Sequence, residues 1–94
     1  MEMETISIPI PPFSIKVDDA VATVWEVIPI TFPTGEKYYH VTLTITYKGI
    51  KSKKFFLDVR NNKELINKLK IELTKLKFIE YAYGGEALRA VMTT

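Results

Sequence analysis

Residues 37–73 read KYYHVTLTITYKGIKSKKFFLDVRNNKELINKLKIEL, and within this stretch the hydrophobic period changes from two to about 3.6 residues. From Lys37 to Lys48, the side chains of Tyr39, Val41, Leu43, Ile45 and Tyr47 fall on one face, with Tyr38, His40, Thr42, Thr44, Thr46 and Lys48 on the other. Strict alternation with this β-branched content marks a half-buried strand. Lys48-Gly49 supplies a tight turn, and Lys51 to Arg60 alternates again, Phe55, Leu57 and Val59 matching the apolar face of the strand before. The pair reads as an antiparallel hairpin. Asn61 then precedes Glu64 by three residues, the spacing of a capping box, and Leu65, Ile66, Leu69, Leu73, Leu76 and Ile79 follow at helical intervals up to Gly84-Gly85. Those six side chains form one stripe, which must cover a sheet face.

Working outward, Ala20 to Ile30 is rich in Val and Ile and contains Trp25, and Phe32-Pro33-Thr34-Gly35 after it is turn chemistry. It reads as a third strand whose buried face is ambiguous, because both parities are apolar apart from Glu26. Asp18-Asp19 turns the chain before it, leaving Phe13 to Val17 and Thr5 to Ile10 as short extended pieces. Pro9, Pro11 and Pro12 confine these to a sheet edge or a polyproline-like arm over residues 1–12. Beyond the helix, residues 86–94 either add a helical turn through Ala87, Leu88, Val91 and Met92 or trail as a loose tail. The expected architecture is α+β: a single two-layer domain over residues 1–94, with an antiparallel sheet of three to four strands covered on one face by the helix.

The chain has 94 residues, 47% hydrophobic and 26% charged, the balance of one globular domain with a single thin core. Cysteine is absent, which removes disulfides, thiolate metal sites and cysteine nucleophiles together. Glutamine is absent too, while lysine and isoleucine are abundant, a bias that fits a thermophilic source. Met1-Glu2-Met3-Glu4 is acidic where a signal peptide is basic, and the uncharged run from Thr5 to Ile15 is far below the ~20 residues of a membrane span. A soluble, cytoplasmic protein with no membrane partner is expected.

Catalytic constellations are sparse. The one histidine, His40, lies on the threonine-rich side of its strand, and a triad would need it to meet Ser7, Ser14 or Ser52 and one of Asp18, Asp19 or Asp58. No spacing favours that meeting, so His40 reads as a surface residue. Asp18-Asp19 lacks the further oxygen ligands of a cation loop and reads as a turn. Gly84-Gly85 follows a helix where a phosphate cradle would precede one. No enzyme, metal or cofactor is expected.

Charge is more informative, because the net +2 conceals −4 over residues 1–47, +7 over 48–77 and −1 thereafter. The basic block comprises Lys48, Lys51, Lys53 and Lys54 around Phe55 and Phe56, together with Lys63, Lys70 and Lys77 recurring every seven residues along the helix. Lysines interleaved with aromatics on a sheet suit a single-stranded nucleic acid, since ammonium groups neutralise phosphates while rings stack on bases. The outward candidates are Tyr38, His40, Lys54 and Phe56; solvated surface is the alternative reading of the lysine run. Ile71 and Phe78, also seven apart, lie outside the buried stripe. Either they dock a partner, together with Leu88, Val91 and Met92, or the tail folds back and those three residues cover them. Pro9 and Pro12 have PxxP spacing, which serves more often to deter edge pairing than as a ligand.

The segment from Tyr47 to Leu65, YKGIKSKKFFLDVRNNKEL, resembles small lysine- and isoleucine-rich proteins of hot-acid crenarchaea, in particular the small accessory subunit of the crenarchaeal B-family DNA polymerase holoenzyme. The resemblance is one of style and size over the middle two thirds of the chain. It implies a non-catalytic subunit that binds a larger partner, the polymerase, and supports synthesis in DNA replication; it places no functional residues. A looser likeness, in element order alone, is to the four-stranded sheets with a trailing helix of single-strand-binding coactivators. Two expectations therefore stand: an accessory interaction subunit of a nucleic-acid-processing complex, and a direct single-stranded DNA or RNA binder.

Overall fold

The computed structural model describes residues 10–94. The elements are β1 (Phe13–Val17), β2 (Ala20–Thr31), β3 (Lys37–Tyr47), β4 (Ile50–Lys51), β5 (Phe55–Val59), α1 (Asn62–Tyr83) and α2 (Gly85–Thr93). The fold is α+β, an open antiparallel sheet in the order β1-β2-β3, with β4 and β5 both paired to the far side of β3. Both helices lie on one face. Residues 1–9 of the proline arm lie outside the described residues; Ile10 to Pro12 form a bend with a cis Pro11-Pro12 bond before β1.

The core is the inner sheet face under the helices. Val17, Ala20, Ala22 and Val24 join Val41, Leu43, Ile45 and Tyr47 of β3, with Ile50 and Val59 beside them, beneath Leu65, Leu69 and Leu73 of α1. Ile66, Leu76 and Ile79 of the expected stripe are half-buried at its margins. Each fully buried leucine contributes about 1.5–3 kcal/mol of transfer free energy, so α1 is held by its stripe more than by intrinsic propensity. Among the described residues no helix is long and apolar enough to cross a membrane.

Two bulges resolve what alternation left ambiguous. Strand β2 pairs Val24 with Leu43 and Glu26 with Thr42, so Trp25 is skipped in the register. Its even-numbered residues point inward as far as Val24, and from Val27 the odd ones do, which is why both parities looked apolar. The expected strand from Lys51 to Arg60 is likewise divided: Thr46 pairs with Lys51 but Leu43 with Phe55, so Thr44 and Ile45 face the three residues Ser52, Lys53 and Lys54. The extra residue has a physical role, since unbroken alternation would have put Lys51 and Lys53 on the same face as Phe55. Ser52 stabilises the break, its hydroxyl accepting the Ile45 N–H at 2.9 Å and donating to the Lys53 carbonyl at 2.8 Å.

The turns agree with their residues. Lys48 and Gly49 both have positive φ, 53° and 77°, as a two-residue type I′ hairpin requires. At the helix start, the Asn61 side chain accepts the Glu64 N–H at 2.8 Å, but Glu64 reaches back to the Arg60 N–H at 2.6 Å, one residue before the one a reciprocal capping box would choose. Gly84, at φ 95° and ψ 174°, ends α1 with its N–H on the Glu80 carbonyl. The chain re-enters a helix at once.

That second helix corrects the reading of Leu88 and Met92 as docking residues. Residues 85–93 form α2, whose Leu88 and Met92, 1% and 3% exposed, complete the core, while the Met92 carbonyl accepts the Lys53 N–H at 3.0 Å. Apolar side chains spaced four apart must share a face, and the sheet end at β4 lies open to receive it. Val91 points away from that core and is 52% exposed. The tail leaves Ile71 and Phe78 uncovered.

Candidate nucleic-acid interface

Among the described residues no second layer packs on the outer face of the sheet, and the two bulges meet on it around Thr44. Trp25 is the extra residue of β2; its ring is part-exposed, and its indole N–H donates to Thr44 Oγ1 at 3.0 Å. The second bulge brings Lys51 and Lys54 to the same ring, their ammonium groups 5.2 and 5.7 Å from its centroid. Both are within cation–π range. Trp25, named above only as part of a strand, is thus the centre of the site; the sequence signal was the parity switch across Val24-Trp25-Glu26-Val27.

Further along the face the cross-strand pair His40 and Asp58 places Nδ1 2.7 Å from Oδ1, and the imidazole stacks on Phe56 at 5.0 Å with 19° between planes. Phe56 is 60% exposed, so its other face is open. Phe32 and Tyr38 form a second ring pair at 5.1 Å beyond it. Beneath these rings Thr42 and Thr44 are buried, although they lie on the outward side of a strand that reads as half-buried: bulky neighbours on both flanking strands roof over the short side chains. The outer face is therefore an aromatic platform from Trp25 through Phe56 and His40 to Tyr38 and Phe32, with its lysines at the tryptophan end.

The expected lysine set is divided among surfaces. Lys51 and Lys54 reach the platform. Lys48 instead pairs with Glu80 at 3.3 Å and Lys77 with Asp19 at 3.0 Å, beside the C-terminal half of α1. The Lys77 hydrogen bond lowers the Asp19 pKa and the same bond raises that of Lys77. Next to them Tyr47 donates to Glu80 at 3.1 Å, and burial, then that bond, raises its pKa. Lys53 gives its N–H to Met92 beside α2. Lys63 and Lys70 stand on the solvent side of α1, across the molecule from the platform, because the α1 stripe turns the opposite helix face to the sheet.

His40 and Asp58 do come together, yet no serine joins them among the described residues. The Ser14 hydroxyl lies 3.2 Å from that of Thr23, and Ser52 is committed to backbone groups; Ser7 lies outside the described residues. No three His, Asp or Glu side chains converge among the described residues as a metal site would need. What the outer face offers chemically is stacking, cation–π contact and hydrogen bonding.

No protein-family model matches the chain, and no curated protein or solved structure matched it in comparison.

Proposed function

We propose that the chain is a binding module of a nucleic-acid-processing assembly, non-catalytic, working through the open face of its sheet. Its particular task is to hold a single strand of DNA or RNA, with a base on Trp25 and neighbouring bases on Phe56 and Tyr38. The observation that carries the reading is the Trp25 ring with two ammonium groups against it, part-exposed and fixed by Thr44. A base stacking there exchanges the lysine contacts for its own π-face, while the flexible lysine stems carry their charges to the flanking phosphates. The accessory role implied by the resemblance to a polymerase subunit fits such a module, which steadies a strand without acting on it.

The test is fluorescence anisotropy of a labelled thymidine oligonucleotide titrated with the full chain over a range of salt. Stacking on an aromatic is worth about 1–3 kcal/mol per base, so Trp25→Ala should weaken binding about 5- to 150-fold. Two phosphate contacts give a log–log salt slope of about −1.4, which the K51E/K54E double variant should flatten. Absence of salt-sensitive binding by the wild type at low ionic strength, or full affinity in a folded Trp25→Ala protein, refutes the proposal.

A further inference from the structure

A second surface lies across the molecule on the solvent side of α1. Ile71 and Phe78, two turns apart and 55% and 61% exposed, form a shallow apolar strip with Thr74 and Ile79. Lys70 borders it on one side and Lys75 on the other. Lys70 makes no ion pair among the described residues, and Lys75, itself exposed, holds only the half-buried Glu72 at 3.4 Å, a long contact of little strength. Helix α2, which the sequence offered as a cover, is packed elsewhere on Ile50 and the α1 stripe. The strip is therefore open, apolar along its centre and basic at both margins.

We propose that this strip docks an acidic amphipathic helix of a protein partner. Two apolar side chains of that helix, about seven residues apart, would seat on Ile71 and Phe78, while carboxylates on its flanks meet Lys70 and Lys75. Charge selects this occupant over a second copy of the chain. An isologous pairing about Thr74 sets the strip against itself and brings each Lys75 close to its symmetry mate. It also leaves Lys70 without an acid. The surface is independent of the sheet platform, so a module of this design would hold a strand on one side and its protein partner on the other.

The test uses two synthetic peptides of roughly four helical turns, one with leucine along one face and glutamate on the flanks, the other identical except for lysine at the glutamates. Binding of each to the full chain is followed by anisotropy, and the chain alone by sedimentation. The glutamate peptide should bind about tenfold or more tightly than the lysine peptide. Phe78→Glu should cost about thirtyfold, the loss of a central aromatic anchor, and I71E should do the same should Phe78→Glu melt early. The K70E/K75E variant should reverse the preference between peptides. Equal binding of the two peptides, no binding of the glutamate peptide, or retention by folded Phe78→Glu and I71E proteins overturns the proposal. So does self-association of the wild type that Phe78→Glu abolishes. Oligonucleotide affinity should be the same in wild type and Phe78→Glu, so this surface and the platform succeed or fail separately.

Discussion

Replacing Leu88 by alanine probes whether the last nine residues are part of the core. Leu88 is 1% exposed on α2 and reaches the same core as Ile50 and the α1 leucines. Removing a buried leucine side chain costs about 2.7–5 kcal/mol, the larger values applying where the surroundings cannot collapse into the cavity. Collapse is limited here, because α2 is tied at one end by Gly84, one residue from α1, and at the other by the Met92 carbonyl on the Lys53 N–H. A chain of this length is stable by roughly 5–14 kcal/mol, so the substitution should remove about a third of the total or more. At about 4–8 °C per kcal/mol, Tm should fall by roughly 10–40 °C. Guanidinium denaturation followed by helical circular dichroism and by Trp25 fluorescence gives the free energy from two ends of the fold, and the transitions should coincide. Val91→Ala, on the exposed side of the same helix, should change stability by no more than about 0.5 kcal/mol. A cost below about 1 kcal/mol for Leu88→Ala, equal to that of Val91→Ala, would show α2 to be an appendage and refute the argument.

Three further outcomes follow from the same geometry. Gly84→Ala should cost about 1–3 kcal/mol, all of it backbone strain: its φ of 95° is glycine territory, and an added Cβ would meet no atom within 4 Å. A neutral result in chemical denaturation would count against that conformation. Asn61→Ala should lower stability by about 1 kcal/mol, and Asn61→Asp should retain most of it, as expected when the side-chain oxygen caps the Glu64 N–H. Stability should also fall at both pH extremes. Folding raises Tyr47 and Lys77 above their ordinary values of 10.0 and 10.5, so their contribution is complete below those values and lost as pH rises through the folded ones. Asp19, lowered from 3.8, contributes above that value and loses its contribution as pH falls through the folded one. The denaturation midpoint measured from pH 9 to 11 should decline less in Tyr47→Phe than in the wild type; identical declines would remove Tyr47 from the account.

Elements with one unbroken period could be read directly. Strand β3 alternates without interruption, and α1 carries its cap, its stripe and its glycine stop in order, so both stand in the structure nearly as their residues imply. Helical spacing put Ile71 and Phe78 outside the stripe but left open whether the tail covers them; the packing of α2 on the core decided that they are exposed. Strand β2 and the strand after Gly49 were less legible because each contains one extra residue, and a local pattern cannot say which residue its neighbour will skip. Those two skips place Trp25, Lys51 and Lys54 together, which explains why the centre of the platform was not apparent from the chain while its outlying members, His40 and Phe56, were.

The sequence by itself determined the α+β class, the hairpin leading into a capped helix, the leucine stripe and the concentration of positive charge in residues 48–77. These follow from neighbours along the chain, whose spacing the period of a helix or strand converts directly into a face. Only the tertiary structure decided which lysines share a surface, that Leu88 and Met92 finish the core, and that Trp25 lies within reach of two ammonium groups on the outer face of the sheet. Those outcomes depend on strand register and on where a short helix finds unfilled apolar surface, and both are set by residues distant in the chain.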